Sequence, residues 1–144
     1  MEVIETSGLR WYVLVLPGEG TSTAAVYRAL KASSDLTRVP EDAKKIKEAL
    51  KRGDVSGLRC LCHNDLQEAA LALSGACRRA YEEMRAAGLP RVTVSGSGSA
   101  LYCICESRRE AEDYRKKLQE GGRRLGFEVV TAWGGEPTRR AQVR

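Results

Sequence analysis

The hydrophobic periodicity of this 144-residue chain predicts an α+β fold: a ferredoxin-like antiparallel sheet with extra helices in its first crossover. Three observations predict it. Two β-rich runs, Arg91–Ser95 and Ala100–Glu106, flank a short loop and read as a hairpin. One strand and several helical stripes precede the hairpin. One helix and one strand follow it. That order is the split β-α-β-β-α-β pattern, expected to give an antiparallel sheet with helices on one face.

Arg10–Leu16 is the first strand, ended by Pro17-Gly18, and its near-continuous apolar character suggests burial on both faces. Thr21 or Ser22 can cap a helix running to about Ala32, with Val26, Tyr27 and Leu30 on its apolar side. Pro40 suits the first position of a second helix, with Glu41 and Asp42 in its first turn and Lys51 and Arg52 in its last, before Gly53. Its stripe of Ala43, Ile46 and Leu50 is thin, so this helix is expected at the periphery. Asn64 or Asp65 can cap the next helical region, whose stripe is Leu66, Ala69, Ala70, Leu73, Cys77, Ala80 and Met84. Gly75 is placed to split it in two, and Gly88-Leu89-Pro90 stops it. After the hairpin, Ser107-Arg-Arg-Glu110 is a capping box opening a helix with Ala111, Tyr114 and Leu118 inward and Gly121-Gly122 at its end. Phe127–Trp133 is the last strand. The length corresponds to one domain, residues 1–144, with a core over about 8–133 and a frayed basic tail, 134–144, carrying Arg139, Arg140 and Arg144.

Apolar content of 42% and charged content of 30% suit a soluble globular protein. No apolar run is long enough to span a bilayer, and the acidic start Met1-Glu-Val-Ile-Glu lacks a signal peptide's pattern, so the expected location is cytoplasmic, with no membrane partner. The net charge of +5 favours an anionic partner or is simply a solvated surface. Five cysteines, an odd number, argue against a disulfide framework. Cys103 and Cys105 share one strand face with Leu101. Cys60, Cys62 and His63 offer ligand atoms, yet Cys-x-Cys is not a usual zinc spacing and no second pair stands in register, so small buried hydrophobes are the expected role and no metal is expected.

The hairpin loop, Ser95-Gly96-Ser97-Gly98-Ser99, holds no side chain larger than a hydroxymethyl, so its backbone N–H groups can approach a phosphate, another loop or their own tight turn closely. It lacks a P-loop's lysine and leads into a strand rather than a helix, which excludes both a P-loop and a dinucleotide fingerprint. Its serines lack a base for nucleophilic work: the single histidine, His63, has no evident acidic orienter in the sequence. The carboxylates are mostly interleaved with Lys and Arg, as on solvated helix faces, and Asp65 reads as an N-cap.

Trp11-Tyr-Val-Leu-Val-Leu-Pro-Gly18 with Ser22-Thr23 and Val26-Tyr-Arg-Ala-Leu30, then Asn64-Asp-Leu-Gln-Glu-Ala-Ala70, then Val94-Ser-Gly-Ser-Gly-Ser-Ala-Leu-Tyr102 stand in a telling order and spacing. Together they resemble the C-terminal half of the 4-diphosphocytidyl-2-C-methyl-D-erythritol kinases, within the GHMP kinase superfamily, over roughly Gly8 to Trp133. The resemblance implies the fold of a GHMP kinase C-terminal domain. It implies ATP-dependent phosphorylation of the 2-hydroxyl of 4-diphosphocytidyl-2-C-methyl-D-erythritol, for isoprenoid precursors, with ATP and Mg²⁺ as cofactors of the full-length enzyme. It also implies that the phosphate loop and catalytic aspartate lie in an N-terminal ATP-binding domain absent from this chain. Nothing here matches them, so the chain alone is expected to bind neither cofactor, to carry no catalytic residue and to be inactive. The partners implied are that missing domain and a cytidine diphosphate-linked small molecule. Thr23 and Tyr27 match substrate-pocket positions, Tyr27 the aromatic near the cytosine ring; a core aromatic on the helix stripe is the other reading of Tyr27. Gly96, Ser97 and Gly98, with Ser95 and Ser99, match the glycine loop beside the nucleotide. Ala24 stands where a proline is common, and Cys62-His63 replaces an apolar or aromatic lead into Asn-Asp.

The fold pattern and the charge also allow a stand-alone ferredoxin-like binding or regulatory module, for a small effector or RNA. Strand aromatics are sparse and no Lys-Gly-Phe-Gly-Phe run exists, which disfavours nucleic acid.

Overall fold

A computed structural model of the protein describes residue 8 and residues 10–32 and 40–135. The expected tail with Arg139, Arg140 and Arg144, and the start at residues 1–7, lie outside the described residues. Four strands, β1 (Arg10–Pro17), β2 (Thr93–Val94), β3 (Leu101–Cys105) and β4 (Phe127–Gly134), form one antiparallel sheet in the order β2-β3-β1-β4. The described helices are α1 (Thr23–Ala32), α2 (Pro40–Arg52), α3 (Val55–Leu61), α4 (Gln67–Leu73), α5 (Gly75–Ala86) and α6 (Arg108–Leu125). This is the expected ferredoxin-like α+β fold, with α1 to α5 in the first crossover.

Period-two alternation sorts the sheet into two faces. Val13, Val15, Leu101, Cys103 and Cys105 are fully buried against Cys77, Ala80 and Met84 of α5 and Ala111 and Leu118 of α6. Burying each of the larger of these side chains contributes about 1.5–3 kcal/mol. The other face departs from the expected one-sided arrangement. Ala49 of α2 and Leu58 of α3 pack there on Ile104, Tyr12 and Tyr102. That cover stops short: on β1, Leu14 is only half-buried and Leu16 is 39% exposed. The expected burial of β1 on both faces therefore holds at one end only.

Residues 54–61 carry a helix, α3, that the periodicity did not announce. Asp54 caps it, accepting from the Gly57 N–H at 2.8 Å. Arg59 then ties α3 to the sheet and α6, donating to the Ile104 carbonyl at 2.7 Å, to Glu106 at 3.1 Å and to Glu110 at 2.6 Å. The long stripe after Asn64 divides as expected: Ser74 is extended and its hydroxyl accepts from the Cys77 N–H at 3.1 Å, capping α5. The break shifts the helical phase, so Leu73, expected inside, is 52% exposed. β2 is shorter than the expected Arg91–Ser95, because only Thr93 and Val94 pair with β3. Ser107 caps α6 as expected, but α6 runs through Gly121-Gly122 to Leu125. Gly126, with φ of +75°, is the true terminator.

Cys77, Cys103 and Cys105 behave as small buried hydrophobes. Burial pushes the Cys77 thiol up to about 11. A thiol–thiol hydrogen bond to Cys103, added to burial, holds Cys105 protonated. Burial also raises the half-buried Cys62. Because the folded state binds the Cys77 proton more tightly than the unfolded chain, this contribution is full below the ordinary thiol range and is lost as pH climbs towards 11. Iodoacetamide at pH 8 is expected to alkylate exposed Cys60 first and Cys62 more slowly, leaving the other three intact until denaturant is added. Mass spectrometry checks this; Cys77 reacting at the rate of Cys60 would contradict the packing.

Candidate functional site

The β2–β3 connection is a tight turn of small residues. The Ser95 N–H donates to the Ala100 carbonyl at 2.8 Å and the Gly98 N–H to the Ser95 carbonyl at 2.9 Å. Gly96 and Gly98 have φ of +57° and +84°, where a side chain is strained. At Gly98 space is limiting as well: a Cβ would lie 3.2 Å from Thr21 Oγ1 and 3.4 Å from Ala70 Cβ and Val94 Cγ1.

Two other elements hold this loop. Ser22 caps α1 weakly, its Oγ accepting from the Ala25 N–H at 3.4 Å, and the hydroxyls on either side of it reach the loop. Thr21 Oγ1 donates to the Ser97 carbonyl at 2.8 Å, and Thr23 Oγ1 shares a hydrogen bond with Ser97 Oγ at 2.9 Å. From the start of α4, Asn64 Nδ2 donates to the carbonyls of Val94 and Gly96, each at 2.7 Å. Its Oδ1 accepts from the Leu66 N–H at 3.0 Å, and Gln67 Oε1 accepts from the Val94 N–H at 3.1 Å. The amides of Asn64 and Gln67 thus complete the edge of β2 where a further strand would otherwise pair. The loop's carbonyls are taken up in this way. The N–H groups of Gly96, Ser97 and Ser99 make no hydrogen bond among the described residues and are left for solvent or a ligand.

Of the sequence-predicted residues, Thr23 and Ser95–Ser99 come together. Tyr27 follows Thr23 by one helical turn on the same side of α1 and is 50% exposed, whereas its neighbour Val26 is fully buried. The core reading of Tyr27 is therefore corrected. Ser97 has a threonine hydroxyl as its partner and no base, so the arrangement does not activate a nucleophile. His63 does have a carboxylate beside it: its Nε2 lies 2.9 Å from Asp65 Oδ1. This corrects the expectation that His63 lacks an acidic neighbour. The expectation that Asn64 or Asp65 caps the next helix is corrected too: the cap position of α4 is Leu66, with no side-chain cap bond, and Asn64 instead closes a turn ahead of it. Among the described residues no group of three or more His, Cys, Asp or Glu side chains is placed to hold a metal. None of their helices is long and apolar enough to cross a membrane.

Sequence reasoning missed Thr21, Asn64 and Gln67 as loop partners. The spacing of Asn64 and Gln67 puts both amides on one side of a helix start, a readable pattern, but nothing local says what they would meet.

A family model described as "GHMP kinases C terminal" matches residues 46–124. The 4-diphosphocytidyl-2-C-methyl-D-erythritol kinase of Moorella thermoacetica is 33% identical over 111 residues, 76% of this chain and 39% of that protein. The enzyme of the same name from Streptomyces avermitilis is 38% identical over 121 residues, 83% of this chain and 41% of that protein. A crystal structure of a 4-(cytidine 5'-diphospho)-2C-methyl-D-erythritol kinase superposes with a TM-score of 0.58 at 30% identity, over 91% of this chain and 45% of that one. The crystal structure of L. major mevalonate kinase shares the fold, with a TM-score of 0.65 at 18% identity over 91% of this chain and 44% of that one. The chain spans about 40% of the length of the curated relatives it matches. The family model covers more than half of the chain, and the chain belongs to the GHMP kinases as a C-terminal domain.

Proposed function

We propose that this chain is the substrate-side half of an ATP-dependent kinase that phosphorylates the 2-hydroxyl of 4-diphosphocytidyl-2-C-methyl-D-erythritol, a step of isoprenoid precursor synthesis. One observation carries the reading: exposed Tyr27, Thr23 and a clamped glycine loop with free N–H donors share one side of the molecule. The names of the relatives above support the substrate. In this role the Tyr27 ring is a flat surface for the cytosine. Thr23 holds Ser97 and borders the pocket. The loop, without bulk or charge, is one wall of the phosphate-transfer site.

GHMP kinases use ATP and Mg²⁺. The residues here do not make a site for them: the loop has no lysine, and no metal-ligating cluster exists among the described residues. Phosphoryl transfer depends on charge positioned around the transferring group. That charge would come from a second, N-terminal domain, which would complete the active site. The reading as a stand-alone RNA module needs an open central-strand face, and here α2 and α3 cover Tyr12, Tyr102 and Ile104.

The isolated chain is expected to show no ATP turnover with the cytidine diphosphate substrate. Mixing it with the N-terminal part of the Moorella relative is expected to produce turnover. In that mixture Tyr27→Ala raises KM about five- to tenfold, in line with the loss of one aromatic contact, and changes kcat less. Robust turnover by the chain alone overturns the two-part reading.

A further inference from the structure

We propose that the groove between α2 and α3 is a binding site for a small anion with a short apolar body, such as an alkyl phosphate. Helical spacing builds the groove. On α2, Lys44, Glu48 and Arg52 recur four residues apart along its rim, and Lys45 stands one turn from Ala49 at its floor. On α3, Gly57 and Leu61 face it at the same spacing. Ala49 is buried, Leu61 is half-buried, and Gly57 has no side chain to fill the space between them. What remains open measures about 370 Å³, the size of a small-molecule site.

Charge is unevenly placed along this groove. The connection at Gly53 puts Arg52 and Asp54 at one end. Lys44, Lys45 and Leu61, each about two helical turns away, stand at the other. The two carboxylates are engaged towards the connection: Asp54 accepts from the Gly57 N–H at 2.8 Å, and Glu48 Oε2 lies 3.6 Å from Arg52 Nη2. The far end is left with two ammonium groups beside apolar surface. Lysines there attract an anion, and Ala49 and Leu61 take its hydrocarbon part out of water. Neither feature alone selects that ligand; their adjacency does. The groove lies over the Tyr12–Ile104 end of the sheet, whereas the glycine loop leaves from the Leu101 end. It is therefore a second site, and it stands whether or not the kinase reading does. A bilayer presents the same phosphate and alkyl chemistry, but a recess between two helices suits the free molecule.

The test is titration of the purified chain with n-hexyl phosphate, followed by heteronuclear NMR at the Ala49 and Gly57 amides. Inorganic phosphate and phosphatidylglycerol vesicles are the comparison arms. Hexyl phosphate is expected to saturate and to bind about tenfold more tightly than inorganic phosphate, because only it reaches both the lysines and Leu61. Lys44→Glu and, separately, Lys45→Glu reverse a charge at exposed positions. Each is expected to weaken binding about fivefold with unchanged circular dichroism. Lys116→Glu, on the exposed side of α6, is the control and is expected to bind as wild type. Equal affinity for inorganic phosphate overturns the inference. So does binding that never saturates, a set of shifted amides that omits Ala49 and Gly57, or wild-type affinity in both Lys44→Glu and Lys45→Glu. Binding to the vesicles without binding to hexyl phosphate also overturns it and assigns the groove to a lipid surface.

Discussion

Asn64→Ala is expected to cost about 2–3 kcal/mol and to release the glycine loop, since it removes two donor bonds and one acceptor bond, each worth about 0.5–1.5 kcal/mol net. The loss is not evenly spread. Gly96 is exposed and its carbonyl can turn to water, whereas Val94 is 1% exposed and its carbonyl loses a partner that solvent does not readily replace. A urea titration is expected to show a lower midpoint at an unchanged slope. Amide exchange is expected to quicken at Ser95 and Gly98, whose N–H groups close the turn. Asn64→Asp separates shape from hydrogen bonding. An ionised carboxylate keeps the bond to the Leu66 N–H but turns acceptors towards the two carbonyls that Asn64 now donates to. Those carbonyls favour the protonated acid, which can donate once. The folded-state pKa is thus raised, and stability is greatest at low pH and declines as pH rises through the carboxylate range. Asn64→Ala has no such slope. A wild-type midpoint for Asn64→Ala would remove the side chain as the loop's anchor.

Local signals in the sequence were reliable where one segment decides its own conformation. The Ser107 cap, the Ser74–Gly75 break and the hairpin each depend on bonds that span a few residues. Where two distant segments decide together, the signals ran out. Gly121 and Gly122 look like a stop because glycine serves both as a left-handed terminator and as a point of close packing. Only the neighbours, Glu83 and Phe127, tell which use applies. The cap at Asp54 went unread, and α3 is seven residues long, too short for its stripe of Val55, Leu58 and Leu61 to stand out. Adjacent Val26 and Tyr27 were both apolar candidates for α1's inner side; one helical step of rotation buries the first and exposes the second. At the site, the resemblance supplied Thr23 and the loop serines and glycines. The bond from Thr21 joins residues 76 apart and that from Asn64 residues 30 and 32 apart, and no local pattern encodes such a pairing.

Gly122→Ala is expected to destabilise the fold by about 2 kcal/mol, within the usual range for an overpacked core, although alanine in a helix interior is favoured over glycine by about 1 kcal/mol. Geometry decides the sign. A Cβ at Gly122 would lie 2.7 Å from the Phe127 carbonyl oxygen and 3.3 Å from its ring carbon Cε2. That oxygen is backbone and has little freedom to retreat. Gly126 closes α6 with a bond to the Gly122 carbonyl, the Gly18 N–H donates to the Gly126 carbonyl at 3.3 Å, and Phe127 is registered against Pro17. Gly121 is the internal control. The nearest atoms to a Cβ there all belong to the side chain of Glu83, which can swing away from Arg124 at the cost of an exposed ion pair worth about 0.2–1 kcal/mol. The gain in helix propensity offsets that loss, so Gly121→Ala is expected to melt close to wild type. Gly122→Ala is expected to melt several degrees lower. A Gly122→Ala melting point at or above wild type would show that the α6–β4 turn can shift. In that case β4 would not be held in place by this turn.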